Sequence, residues 1–215
     1  MGAGSGSGGA AMPLCQTPAV SRTQPSDLYS HPRLMVVEAV EDYGIHATVD
    51  TCLALIDGHV DYDLLPVPLT YLAGVHAVAK LGRGNLAQRN QEHWPRLWGV
   101  RALRYVWLEY AEPGVVFAVG DSFWRVRETA AKVVAQRGLH TSTVPLRRLL
   151  RDAEPRVRVA AVRALGAVGG REDLRMLGAL DVTDPALRVA VDAAARRLRM
   201  AAEPAGRSPR TGDVR

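Results

Sequence analysis

Cysteine is scarce in this chain: Cys15 and Cys52 are its two thiols. Two thiols, one of them in a Gly/Ser-rich leader, build neither a disulfide framework nor a cysteine-ligated metal site. Their scarcity predicts a reducing compartment, the cytoplasm. Long apolar runs are missing too. None approaches the roughly 20 residues that a membrane-spanning helix needs, so no membrane association is expected. The first residues carry neither a basic nor an apolar segment of the kind a secretory signal requires. Catalytic signatures are equally thin. There is no GxSxG nucleophile turn and no HExxH or CxxC metal spacing. Gly82-Arg83-Gly84 follows a helical pattern rather than a strand and lacks the lysine of a phosphate-binding loop. His59, Asp61 and Asp63 alternate in a loop, and His46 lies one helical turn from Asp50. Solvated side chains explain these better than a metal site does. No catalytic residue, metal or cofactor is therefore assigned.

What the chain has is charge, unevenly spread. Residues 1–90 hold 5 Lys/Arg against 8 Asp/Glu; residues 91–215 hold 22 against 14. A basic half attracts an acidic protein surface or nucleic acid. The simpler reading of many such charges is a solvated helix surface with local ion pairs.

Composition divides the chain. Residues 1–27, rich in Gly, Ser and Pro, are expected to be disordered, as is the tail 202–215. Between them, residues 28–201 read as one α-helical repeat domain. Its first part, 28–91, consists of irregular hairpins. Arg33 to Tyr43 is a helix opened by Pro32 and closed by Gly44. His46 to Asp57 is a second, closed by Gly58. A third opens at Pro66 or Pro68 and runs to Leu81. A long helix is predicted from about Glu92 to Tyr110.

From residue 92 to 201 the chain repeats itself. Asp121, Val126, Arg127 and Ala130 recur at one constant shift as Asp152, Val157, Arg158 and Ala161. Pro185, Leu187, Arg188 and Val191 form a third copy. Val100-Arg101-Ala102-Leu103 echoes Val162-Arg163-Ala164-Leu165, at twice that shift. The apolar phase agrees as well. Val157, Ala160, Ala161, Ala164, Leu165 and Val168 make one helical stripe, and Leu187 to Leu198 repeats it. Shorter helices lie between: Pro113–Val119, Thr143–Arg151 and Arg171–Leu180. A hairpin cannot bury such a stripe alone, so the units must stack.

This pattern resembles HEAT repeats, over about residues 92–200, and in particular the HEAT-like class of phycobilin lyases. That class places a proline in the first helix, an aspartate in the turn and Val-Arg at the start of the second helix. Pro113, Asp121, Val126 and Arg127 match, as do Asp152, Val157 and Arg158. Pro145 sits one residue close, and Val182 stands where the last aspartate is expected. The resemblance implies an all-α, right-handed α-solenoid of stacked hairpins. It also implies that Asp121, Arg127, Asp152 and Arg158 form a structural ladder between repeats rather than a binding row.

The four tryptophans cluster. Trp94, Trp98, Trp107 and Trp124 all fall near the middle of the chain, with arginines interleaved. Such a cluster is either a hydrophobic joint or a binding surface. Trp98, Arg101, Trp124 and Arg125 are the candidate binding residues, placed on the concave face at the joint between irregular and regular repeats. Arg125, Arg156 and Arg163 present positive charge from the second helices. The expected function is a non-catalytic scaffold for a protein partner with an acidic surface. The alternative is nucleic-acid binding, in the manner of HEAT-like glycosylases for alkylated bases. A bilin lyase is a third reading, carried by the repeat class alone.

Overall fold

The computed structural model describes residues 23–58, 61–82, 86 and 89–202. Among them lie eleven α-helices, a few 3₁₀ turns and no strand. Five hairpins stack side by side. The first helices are α1 (Pro32–Tyr43), the pair α3 (Thr70–Ala73) and α4 (Val75–Leu81), α6 (Glu112–Ala118), α8 (Thr143–Leu149) and α10 (Arg171–Gly178). The second helices are α2 (Ile45–Asp57), α5 (His93–Ala102), α7 (Trp124–Arg137), α9 (Pro155–Val168) and α11 (Pro185–Ala202). These second helices form a continuous row in which each packs on the next. The result is the stacked-hairpin α-solenoid that the repeated stripes require.

The stripes are the core. Val157, Ala161, Val162, Ala164 and Leu165 on α9 are fully buried, and Leu187, Ala190, Ala194 and Leu198 follow on α11. Small residues set the spacing. A Cβ on Gly166 would stand 2.6 Å from the Cβ of Ala194, and one on Gly99 would stand 2.6 Å from the carbonyl oxygen of Cys52. Neighbouring second helices thus meet at backbone distance. Cys52, wholly buried at one such crossing, has its thiol pushed up to about 12 by desolvation.

Two expected helices end differently. The third is broken at Gly74, whose φ of 55° lies in the left-handed region. The carbonyl of Leu28 and the sulfur of Met35 crowd the space a side chain would need there. The helix expected to run to Tyr110 stops at Ala102. The carbonyls that follow it are taken by side chains of the next repeat: Arg137 donates twice to Leu103 O, at 2.9 and 3.2 Å, and Gln136 Nε2 donates to Arg104 O at 2.7 Å. A helix end satisfied from outside has no need to continue.

The expected leader and tail fall mainly on residues 1–22 and 203–215, outside the described residues. Residues 23–27 are not loose. Pro25 is buried, Ser26 N donates to Glu38 Oε2 at 2.8 Å, and Thr70 Oγ1 donates to Thr23 O at 3.1 Å. The packed domain therefore reaches back to Thr23, and α11 carries it forward to Ala202.

The last helix differs from its predecessors on one side. Where α9 carries buried Val162 and Gly166 against α11, the matching positions of α11 are Asp192 and Arg196, neither of them buried. Polar groups thus replace the stacking surface at this end of the row.

Candidate functional site

The turn residues form a ladder across the repeats. Asp121 Oδ1 accepts the Phe123 amide at 2.7 Å, and Asp152 Oδ1 accepts the Glu154 amide at 2.9 Å. Each aspartate so holds the turn that starts a second helix. Each also receives an arginine from the preceding repeat. Arg127 Nε meets Asp152 Oδ2 at 2.7 Å, with Nη2 on Oδ1 at 2.9 Å. The same guanidinium donates back to the carbonyls of Asp121 and Ser122, at 2.9 and 3.0 Å. Burial alone would raise the Asp152 carboxyl. The Arg127 hydrogen bonds and the Glu154 amide outweigh it and hold the group below the usual carboxylate range.

Arg158 takes up half of this role. It donates to the carbonyls of Asp152 and Ala153, at 2.7 and 3.2 Å. Val182 occupies the next aspartate position, so among the described residues Arg158 has no ion-pair partner. Two rungs are not evident from the motif. Arg96 pairs with Asp121, Nε to Oδ2 at 2.7 Å. Its signal is present, since it stands one repeat length before Arg127. Pro95 in place of the usual valine hides it. Arg147 meets buried Asp173 at 2.7 Å and so joins α8 to α10. No repeat spacing announces that pair.

The aromatic candidates separate. Trp98 is 2 % exposed and belongs to the core beside α2. It cannot meet a ligand on the surface, and its place among the binding residues is corrected. Arg101 is half-buried beside it. Its Nη2 donates to Leu72 O at 2.8 Å, capping a carbonyl of the short α3. Burial lowers its pKa from the ordinary arginine value. The large aromatic ring of Trp98 packs inward because α5 lies directly on α2, a relation its spacing in the chain does not reveal. Trp94 and Trp107 are half-buried. Lys80 lies over the first at 4.9 Å and Arg137 over the second at 5.3 Å.

Trp124 and Arg125 remain at the surface. Trp124 is half-buried at the start of α7. The Arg125 guanidinium lies 4.5 Å from its ring centre, and that of Arg156, one repeat on, 5.8 Å away. Of these three residues, Arg156 lines a groove of about 650 Å³ along α7, α9 and the start of α11. Ala135, Val159, Ala160 and Ala186 supply apolar lining, and Arg104, Lys132, Arg156 and Arg163 supply positive charge. Some of that charge is already engaged. Lys132 pairs with Glu128 at 2.7 Å, and Arg104 Nε donates to Gln136 at 3.1 Å. Asp184 accepts the amides of Ala186 and Leu187. Arg156 and Arg163 have no hydrogen bond or ion pair among the described residues.

The residues weighed as metal ligands do other things. Asp50 accepts the Tyr110 hydroxyl at 2.7 Å, and His46 stacks on the Tyr110 ring. Asp61 caps the amide of Asp63, while His59 lies outside the described residues. No group of three metal-ligating side chains occurs among the described residues. No described helix is long and apolar enough to cross a membrane.

Stacked hairpins tied by aspartate–arginine rungs define an α-solenoid repeat protein. A family model for HEAT repeats matches residues 112–202, from α6 through α11. This segment is similar to HEAT repeats. The match begins at the third hairpin, later than the resemblance drawn from residue 92. No curated protein matches the chain.

Proposed function

We propose that the chain is a non-catalytic scaffold that binds an acidic protein surface along the groove of its second helices. One observation carries this reading. Arg156 and Arg163 stand unneutralised beside an apolar floor, while the lysine and the carboxylates of the same groove are already engaged. Uncompensated positive charge next to apolar surface favours a partner that supplies both carboxylates and hydrophobic contact. Arg125, stacked on Trp124, extends the basic border toward the joint. Nucleic acid is the second reading, because arginine and tryptophan together also suit stacked bases. The geometry favours it less. Two guanidinium groups already lie on the Trp124 ring, and a base would have to displace them.

The test is affinity capture with the full chain, then calorimetry on what is captured. An acidic protein is expected, and Arg156→Glu should weaken its binding at least about tenfold with melting unchanged. Capture of nucleic acid, with log K falling by about 0.9 per phosphate for each unit of log salt, would transfer the function to the second reading.

A further inference from the structure

The groove floor has a periodicity of its own. Arg156, Val159, Ala160 and Arg163 all line it. They stand at i, i+3, i+4 and i+7 on α9, a single face of one helix. Two cations without a carboxylate partner among the described residues thus bracket two apolar side chains, with a rise of about 10.5 Å between them. A bound segment must set its carboxylates to match. Along a strand, residues on one face recur at about 6.6 or 13 Å, which misses this separation. Along a helix, residues i and i+7 share a face at about 10.5 Å. We infer that the occupant of the groove is an amphipathic helix of a partner protein, with acidic residues at i and i+7 and small apolar residues at i+3 and i+4. This rests on the acidic-partner reading and adds its shape and register. The groove volume of about 650 Å³ suits it, being about the inward half of three turns of a helix about 10 Å across.

Neither residues 1–22 nor residues 203–215 supply this helix. Residues 1–22 contain no Asp or Glu, and residues 203–215 contain only Glu203 and Asp213, which are spaced too widely. A matching face does exist on α2, where Asp50, Leu53, Ala54 and Asp57 carry the required order. It is engaged: Asp50 holds the Tyr110 hydroxyl, and Leu53 packs so closely on α6 that a Cβ on Gly114 would stand 2.5 Å from its Cδ2. A second copy is therefore a poor occupant, and a helix of another protein is the fitting one.

The experiment is selection of helical peptides from a display library against the full chain, followed by fluorescence polarisation of the selected peptides. Peptides with Asp or Glu at i and i+7 and small apolar residues between them should be enriched. Moving one carboxylate to i+5 should cost at least about tenfold in affinity, and so should Arg156→Glu or Arg163→Glu, with unchanged circular dichroism. Peptides that bind through these arginines with carboxylates at mixed spacings would overturn the helical register while leaving the acidic-partner reading intact. Selected peptides indifferent to both arginine variants would overturn both, as would failure to select any peptide while a dT12 oligonucleotide binds. Self-association that Arg156→Glu abolishes would overturn the partner in favour of a second copy.

Discussion

Arg127 and Asp152, distant in the chain, meet through two parallel hydrogen bonds of 2.7 and 2.9 Å. The same guanidinium closes the turn at the start of its own helix by donating to Asp121 O and Ser122 O. One side chain so fixes a turn and fastens the next repeat to it. Arg96 and Asp121 repeat the fastening one unit earlier, at the same separation in the chain. Bidentate geometry and low exposure, 17 % for the Arg127 side chain and 6 % for that of Asp152, separate these rungs from ordinary surface pairs.

Asp152→Ala should destabilise the protein by about 1.5–3 kcal/mol, the usual cost of losing a charge-assisted hydrogen bond in a partly buried site. Glu128→Ala, which breaks the exposed i,i+4 pair with Lys132, should cost no more than about 0.5 kcal/mol. Urea titration of both variants checks the ranking. Equal effects would mean that the rung contributes no more than a surface pair.

The same rung sets a pH dependence. The folded-state pKa of Asp152 lies below its ordinary value of 3.8, so as pH falls the unfolded chain takes up that proton first. The rung's stabilisation is fully present above about pH 5 and is lost as pH falls through the ordinary value toward the folded one. Asp152→Asn has no such proton to take up. Its deficit in melting temperature relative to the wild type should be largest near neutrality and shrink toward about pH 3. A deficit that stays constant with pH would exclude the ion pair as its source.

Gly166 faces the Cα of Ala194 at 2.7 Å from where its Cβ would stand. Backbone cannot give way as a flexible side chain can. Gly166→Val should therefore cost roughly 1–3 kcal/mol through overpacking, and should loosen α11 before the rest of the array. Hydrogen exchange resolved along the chain would show amides of 187–198 losing protection ahead of those of 126–134. Uniform loss would indicate that the helices unfold as one unit.

The sequence carries the helices plainly wherever proline and glycine punctuate them. Pro32, Gly44, Gly58 and Pro155 each mark an end within a residue or so. The alanine stripes give the stacking. Two ends escape because their causes are distant in the chain. Ala102 ends α5 because Gln136 and Arg137 reach back to the carbonyls that follow it. Gly74 breaks a helix because Leu28 and Met35 occupy the space beside it. The candidate site divides the same way. Arg125, Arg156 and Arg163 are readable as outward cations from their place in the repeat. The depth of Trp98 depends on which side of α5 meets α2, and an aromatic residue at helical spacing looks the same from either side.

The charged face of α11 bears on how such an array can change length. A unit added beyond α11 in the same register would bury Asp192 and Arg196 away from water, and buried unpaired charge is strongly destabilising. A unit inserted between α7 and α9 meets no such barrier. A copy of one whole repeat brings its own turn aspartate and its own arginine, so the interrupted rung closes again on either side of the insertion. Growth by internal duplication would leave both ends of the described array unaltered and lengthen only the groove between them.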